Sequence, residues 1–198
     1  MRVFGISGSP RLGGTHYAVS YALDYLKEKG CETRYFSARG KDIRFCIHCD
    51  YCMREKKGCI QKDGLAEFYE GMQWADGVVM GTPCYQGTLS GQLKAMMDRC
   101  RALVAKDPHV FKGKVGMGLA VGGDRNGGQE IAITLINNFF VINEMIPVSG
   151  GAFGANLGAS LWSKDKGAEG VAADEEGLRS LRMTLKRFYG VLEERRVA

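Results

Sequence analysis

Four cysteines within fourteen residues constrain this chain more than any other feature. The stretch Cys46–Cys59 has the spacing C-x2-C-x2-C-x6-C, and Gly58 allows the backbone to turn back before the last cysteine. Three thiolates at this close spacing can face one point on a compact loop, and a cubane [4Fe–4S] cluster is held by four cysteine thiolates. The spacing therefore predicts one such cluster, bound by Cys46, Cys49, Cys52 and Cys59.

Other uses of the four cysteines remain open. Zinc usually binds two C-x2-C pairs that are a dozen or more residues apart, whereas the pairs overlap here. Two disulfides would require an oxidising compartment. Reduced thiols without a metal would leave the density of cysteines unexplained. The loop is also basic, which would either attract an acidic electron carrier or form a solvated surface; its cations are Arg44, Arg54, Lys56 and Lys57.

Length and composition exclude several functional classes. A chain of 198 residues is expected to form one domain, spanning residues 1–198, with residues 45–60 as a cluster-binding loop. The net charge of +5 is spread along the chain without an arginine-rich run, which argues against nucleic-acid binding. No stretch approaches the roughly 20 apolar residues of a membrane span. Seven cysteines without an export signal predict a reducing, cytoplasmic location.

Apolar segments of strand length alternate with amphipathic segments along the whole chain. This alternation predicts an α/β fold with a doubly wound, five-stranded parallel sheet in the flavodoxin-like order 2-1-3-4-5. The cysteine loop is an insertion after strand 2. Residues 154–173 are rich in Gly, Ala and Ser and are predicted to be a long loop, and residues 175–196 are predicted to be the last helix. The predicted strands are residues 1–7, 31–37, 76–82, 114–121 and 146–153.

Loops after three of these strands carry the features of a ligand site. The first, Gly8–Thr15, precedes a helix and offers free N–H groups, hydroxyls and an arginine to a phosphate monoester, or else forms a turn with a Ser or Thr helix cap. The second, Pro83–Thr88, presents the flat face of Tyr85. The third, Gly122–Glu130, is rich in glycine. Strands 1, 3 and 4 are neighbours in the predicted order, so the loops meet at one crevice and together predict FMN.

The chain resembles the iron–sulfur flavoprotein family, within the NADPH-dependent FMN reductase-like branch of the flavodoxin-like fold. The most specific segments are ISGSPRLGGT, the cysteine motif, TPCYQGTLSGQLKAMMDR and VGGDRNGGQE. Many relatives have Asn-Thr where this chain has Thr15-His16, so the role of His16 is open. The resemblance implies that the FMN phosphate is held by Ser7, Ser9, Arg11 and Thr15. It implies that the isoalloxazine is lined by Pro83, Cys84, Tyr85, Gln86, Gly87, Gly122, Gly123 and Asn126.

The resemblance implies a redox protein that passes electrons between the cluster and FMN. It suggests ferredoxin or a similar carrier as the donor, oxygen, peroxide or a quinone as the small acceptor, and a homodimer or homotetramer as the assembly. One alternative is an NAD(P)H-dependent FMN or quinone reductase whose cysteine loop is structural or binds zinc. Another is a redox-sensing module without catalytic turnover. Cys84 is either a redox-sensitive thiol or a contact residue beside the ligand.

Overall fold

The core of the protein is a parallel β-sheet. The computed structural model describes residues 1–197, and five of its strands lie in the order β2-β1-β3-β4-β5, which confirms the predicted flavodoxin-like topology. A further strand, β6, pairs with β4. The strands are β1 (Arg2–Ser7), β2 (Glu32–Ser37), β3 (Gly77–Pro83), β4 (Val115–Gly122), β5 (Ile146–Val148) and β6 (Ala159–Trp162).

Helices cover both faces of this sheet. Strands β3 and β4 are buried along their entire length, as expected for central strands of a parallel sheet with helices on each side. Side chains along a strand alternate between two apolar cores, so Val78 and Met80 belong to one core and Val79 to the other. Among residues 1–197 the helices are α1 (Gly14–Glu28), α2 (Tyr51–Glu55), α3 (Ala66–Trp74), α4 (Gly91–Arg99), α5 (Arg101–Lys106), α6 (Gln129–Ile142), α7 (Gly167–Ala172) and α8 (Glu175–Val197).

The parallel register brings the carboxyl ends of the central strands to one edge. Ser7 of β1 pairs with Gly81 of β3, and Pro83 of β3 pairs with Val121 of β4. The loops that follow these three strands therefore start side by side. This edge is where open α/β sheets bind their ligands.

The segment predicted as a long loop contains regular structure. Within residues 154–173, β6 pairs with β4 at Leu119–Gly122, just beyond the place where β5 pairs with Val115–Met117. The predicted fifth strand, residues 146–153, ends at Val148, because β6 takes over the edge of β4 from that point. A segment rich in Gly and Ser has little hydrophobic periodicity, so the local pattern could not reveal a strand that depends on pairing with β4.

The cysteine loop leaves the carboxyl end of β2. It contains one short helix, α2, and otherwise has no regular structure between residues 38 and 65. No helix within residues 1–197 combines the length and the apolar character needed to cross a membrane.

Candidate functional site

A cavity of about 670 Å³ opens at the carboxyl edge of the sheet, between the loops that follow β1, β3 and β4. This volume is typical of a site for a cofactor or another small molecule. Most residues predicted for flavin binding line it: Ser9, Arg11, Thr15, Pro83, Cys84, Tyr85, Gln86, Gly87 and Gly123.

The loop after β1 leaves the amino terminus of α1 free for an anion. The Gly8 amide donates to the Gly81 carbonyl (2.8 Å), and the Ser90 hydroxyl donates to the Gly8 carbonyl (2.7 Å), so the loop is fixed to β3 and α4. Helix α1 starts after Gly13, and no side chain caps its first N–H groups. This excludes the alternative in which a Ser or Thr caps the helix. Free N–H groups and the helix dipole favour a phosphate at this position.

Hydroxyl groups surround the start of α1. Ser9 and Thr15 are almost fully buried, and the Ser9 Oγ accepts a hydrogen bond from the Arg11 amide (3.1 Å), which fixes the turn. The Ser7 hydroxyl is buried and has no hydrogen-bond partner among the described residues. Burying a hydroxyl without a hydrogen-bond partner costs free energy of folding. The unpaired Ser7 hydroxyl beside this loop therefore fits a site in which a bound ligand supplies the missing partner.

The loop after β3 forms a tight hairpin turn beside the cavity. Tyr85 and Thr88 exchange backbone hydrogen bonds (2.9 and 3.1 Å), and both central residues, Gln86 and Gly87, have positive φ. This is the pattern of a type I′ turn, which holds the Tyr85 side of the loop in one geometry. Burial raises the pKa of Cys84 to about 11, so its thiol stays protonated at neutral pH. This favours a contact role for Cys84 over that of a reactive thiolate.

The loop after β4 is held from outside by β6 and the residues that follow it. The Trp162 indole donates to the Gly123 carbonyl (2.6 Å), and the Ser163 amide donates to the Gly122 carbonyl (2.8 Å). Gly128 lies directly against the turn after β3, because a Cβ at this position would be only 2.4 Å from the Gly87 oxygen. The second and third loops therefore support each other around the cavity.

Three residues predicted for flavin binding do not line the cavity: Ser7, Gly122 and Asn126. Conversely, the cavity is lined by residues that the prediction missed, among them Asp124, Ser163, Asp165 and Gly167. Three of these lie in the segment that was predicted only as a long loop. Its length was a signal of function, but the sequence did not indicate which of its residues reach the site. His16 contacts Tyr35 (Nδ1 to hydroxyl, 2.7 Å) and does not line the cavity.

The four cysteines of the loop are free thiols on one segment of chain. Cys49 is exposed and the other three are half-buried. Within residues 1–197, no three His, Cys, Asp or Glu side chains are grouped closely enough to hold a metal ion. The thiol donors nevertheless match the chemistry of an iron–sulfur cluster, which is ligated by thiolates. The donor set therefore fits such a cluster by its chemistry, although the sulfurs are not grouped into a metal site within residues 1–197.

Helix α4 connects the cavity with the cysteine loop. At its amino end, the Ser90 side chain caps the helix by accepting a hydrogen bond from the Leu93 amide (3.2 Å), next to the loop that follows β1. At its carboxyl end, Arg99 forms an ion pair with Asp63 (2.8 Å), just after the cysteine loop. Nine helical residues span roughly 14 Å at 1.5 Å per residue. One rigid element thus fixes both regions relative to each other.

Comparisons with known proteins identify the family. The chain matches the NADPH-dependent FMN reductase family over residues 1–160. It is 68% identical to an iron–sulfur flavoprotein of Methanocaldococcus jannaschii over 99% of both chains, and 56% identical to one of Archaeoglobus fulgidus over 97% of both. The chain belongs to the iron–sulfur flavoprotein family.

The predicted resemblance is therefore confirmed, and this iron–sulfur flavoprotein is a flavin-dependent oxidoreductase by family. Membership supports the two predicted cofactors, FMN and an iron–sulfur cluster. The fold is also similar to that of a WrbA-like flavodoxin from Agrobacterium tumefaciens, with a TM-score of 0.68 at 16% identity over 98% of both chains. At that identity the likeness concerns the fold alone.

Proposed function

We propose that this iron–sulfur flavoprotein transfers electrons between a [4Fe–4S] cluster and FMN, from ferredoxin or a similar carrier to a small acceptor such as oxygen, peroxide or a quinone. The observation that carries the proposal is that α4 joins a flavin-sized cavity to a loop with four free cysteines. The names of the relatives support the same pair of cofactors. A flavin links one-electron carriers to two-electron acceptors, whereas an iron–sulfur cluster handles single electrons.

In this proposal the residues around the start of α1 bind the FMN phosphate. Ser9 and Thr15 donate hydrogen bonds from buried hydroxyls, and Arg11 adds a positive charge at the rim of the cavity. The uncapped N–H groups of α1 supply the remaining donors. Tyr85 and the turn that follows it would hold the flavin ring, which would supply the redox chemistry.

The proposed cluster ligands are Cys46, Cys49, Cys52 and Cys59. None of the four forms a disulfide within residues 1–197, and the loop that carries them is fixed by contacts to α5 as well as to α4. The Arg101 guanidinium donates to the Asp50 carboxylate (2.6 Å), and the Arg54 guanidinium donates to the Cys49 carbonyl (3.1 Å). The first contact ties the middle of the loop to α5, and the second fixes the chain within the loop.

The surface beside Cys59 suits an acidic electron carrier such as ferredoxin. A second cavity, of about 380 Å³, is lined by Cys59 together with three lysines: Lys57, Lys62 and Lys106. Clustered positive charge speeds encounter with an acidic partner, and the effect falls with ionic strength. Lys62→Glu should slow reduction by ferredoxin at low salt, whereas Lys112→Glu, on the opposite edge of the sheet, should leave it unchanged.

We further propose that residues 1–198 form one flavin-binding domain with residues 45–60 as its cluster loop, and that the protein works in the cytoplasm as a homodimer or homotetramer. The cysteine loop exposes four large apolar side chains, as expected of a surface that another subunit covers. These residues are Phe45, Ile47, Met53 and Ile60. Analytical ultracentrifugation measures the assembly directly, and a monomer at micromolar concentration contradicts this part of the proposal.

Anaerobic purification followed by analysis of iron, acid-labile sulfide, zinc and FMN tests the central proposal. We expect about four irons, four sulfides and one FMN per chain, the composition of one cubane cluster and one flavin. Cys49→Ser should lose the iron and keep the flavin. Cys31→Ala, which changes a buried cysteine outside the loop, should keep both.

One alternative function has specific support. The matched family is described as NADPH-dependent FMN reductase, and the four sulfurs are not grouped as a metal site within residues 1–197. An NAD(P)H-dependent FMN or quinone reductase with a structural or zinc-binding loop would contain FMN with zinc or with no metal. NADPH alone would then reduce its flavin rapidly in protein without iron. That pair of results would replace the electron-transfer proposal.

A further inference from the structure

A buried ion pair closes the base of the cysteine loop. The Arg99 guanidinium lies 2.8 Å from the Asp63 carboxylate, and only 1% of each side chain is exposed. Arg99 ends α4, and Asp63 lies four residues after the last cysteine of the loop. Two charges are costly to bury unless hydrogen bonds satisfy them well, so a pair this deep must be supported by its surroundings.

Arg99 contacts the chain on both sides of the loop. Its Nη1 donates to the Arg44 carbonyl (2.8 Å), two residues before Cys46, and its Nη2 reaches the Gln61 carbonyl (3.4 Å), two residues after Cys59. The side-chain amide of Gln61 also donates, from Nε2, to the Phe45 carbonyl (3.1 Å) across the same gap. Protein groups alone therefore hold the two ends of the loop together.

Two polar atoms in this region lack a hydrogen bond of normal geometry. Of the buried side-chain nitrogens and oxygens within residues 1–197, four lack a hydrogen bond, and two of them are the Nε of Arg99 and the hydroxyl of Tyr69. Tyr69 and Cys59 line the same cavity. Buried donors without partners are rare in folded proteins because each loses its hydrogen bond to water. The Arg99 guanidinium also acts on Tyr69 as a hydrogen-bond donor, so the Tyr69 O–H is the donor left free in the cavity that Cys59 lines.

Burial and neighbouring charges determine the protonation states of Tyr69 and Arg99. Burial raises the pKa of Tyr69, and the charge and a hydrogen bond of Arg99 oppose this without reversing it, so the hydroxyl stays protonated and can donate. Burial acts to lower the pKa of Arg99, but the hydrogen bond and charge of Asp63 outweigh it, so Arg99 stays charged. Tyr69 lines the same cavity as Cys59, and Arg99 reaches the Gln61 carbonyl, two residues after Cys59.

We propose that Arg99 and Tyr69 are positioning residues for the iron–sulfur cluster: Arg99 holds the two ends of its loop, and the Tyr69 hydroxyl raises its reduction potential by donating toward the Cys59 sulfur. This inference rests on the proposed function. Reduction adds negative charge to a cluster that already carries thiolates. A buried hydroxyl that donates toward one ligand stabilises the reduced form more than the oxidised form, because hydrogen bonds to the sulfurs are among the factors that set cluster potentials.

The decisive variant is Tyr69→Phe in the loaded protein, because it removes one hydroxyl and keeps the ring. Anaerobic redox titration, followed by EPR for the cluster and by visible absorption for the flavin, gives both potentials in one sample. We expect the ratio of reduced to oxidised cluster at a fixed potential to fall about tenfold, which is about 59 mV for a one-electron couple. The flavin potential should not move. Tyr189→Phe, on α8 and hydrogen-bonded to Glu193, is the matched control and should shift neither.

Arg99→Lys tests the loop contacts separately. Lysine keeps the charge, but its three N–H donors cannot replace the four hydrogen bonds that the planar Arg99 guanidinium makes to Asp63, Arg44 and Gln61. We expect iron and sulfide to be lost severalfold faster to a chelator, with FMN retained. The control is Arg2→Lys, which changes an exposed Arg–Asp pair at the other edge of the sheet and should release iron at the rate of the unaltered protein.

The outcomes separate this inference from the proposed function. If the unaltered protein contains no iron and sulfide, both are overturned. If it contains the cluster but Tyr69→Phe leaves the cluster potential unchanged, the inferred role of Tyr69 is wrong while the electron-transfer proposal stands. If Arg99→Lys releases iron no faster than the Arg2→Lys control, the inferred role of Arg99 in the loop is wrong.

Discussion

Gly128→Ala should weaken FMN binding by pushing apart two loops of the cavity. Gly128 has φ of +96°, and a Cβ there would lie 2.4 Å from the Gly87 oxygen and 2.6 Å from its carbonyl carbon. Ordinary contacts of a Cβ begin near 3.4 Å. The obstructing atoms belong to backbone and cannot rotate away, so the loops after β3 and β4 must separate by about 1 Å.

This displacement and the strained backbone have different effects. A side chain in the left-handed region costs about 1–2 kcal/mol of folding stability wherever it occurs. The separation of the loops acts on the ligand, because both of them border the cavity beside Tyr85 and Gly123. We expect FMN to bind at least tenfold more weakly, a change of about 1.4 kcal/mol in binding free energy.

Gly151→Ala is the matched control. Gly151 has φ of +91°, nothing lies within 4 Å of its added Cβ, and it does not line the flavin cavity. Urea unfolding should therefore show that Gly151→Ala loses about as much stability from backbone strain as Gly128→Ala does. Gly151→Ala should nevertheless bind FMN normally, as measured by quenching of flavin fluorescence. Equal loss of FMN affinity in the two variants, or normal FMN binding by Gly128→Ala, would refute the reasoning.

Three further predictions concern Ser9 in the loop after β1, the buried pair of Arg99 and Asp63, and the thiol of Cys84. Ser9→Ala should reduce FMN affinity about tenfold or more, since a hydrogen bond to a charged group contributes about 1.5–3 kcal/mol. It should leave the affinity for riboflavin, which has no phosphate, unchanged. Equal losses for both ligands in fluorescence titrations would contradict the assignment of Ser9 to the phosphate. Arg99→Met should destabilise the protein by about 3–5 kcal/mol at pH 7, because it leaves a buried carboxylate unpaired. Burial acts to raise the pKa of Asp63, and hydrogen bonds from Arg99 and the Arg44 amide keep it below its usual value; the pair therefore stabilises the protein above about pH 4 and the contribution is lost below it. In the variant the unpaired Asp63 carboxylate has a raised pKa, so it becomes protonated as the pH falls from 7 to 5. The difference in free energy of unfolding between the unaltered protein and the variant, measured in urea, should therefore narrow over this range. A constant difference would show that the charge of Asp63 does not cause the destabilisation. Iodoacetamide should not modify Cys84 at pH 7, since burial raises the pKa of its thiol to about 11; rapid alkylation seen by mass spectrometry would count against its protected position.

Local patterns were sufficient for the topology and for most of the cavity. The buried apolar runs of β3 and β4 could be recognised as central strands, and the parallel order then placed the loops after β1, β3 and β4 together. The lining residues contributed by β6 and its surroundings could not be found in this way. Ser163 and Asp165 reach the cavity only because β6 pairs with β4, and that pairing joins residues about 40 positions apart.

The sequence by itself determined the fold class, the family and the four-cysteine motif, because each depends on spacing or periodicity within a short stretch of chain. Only the tertiary structure decided that Arg99 pairs with Asp63 across 36 residues and that Gly128 lies against Gly87. In the sequence, Arg99 is one charged residue on an amphipathic helix, typical of a solvated surface. Its burial follows from how α4 packs beside the cysteine loop, and such packing depends on contacts between distant segments that no local pattern records.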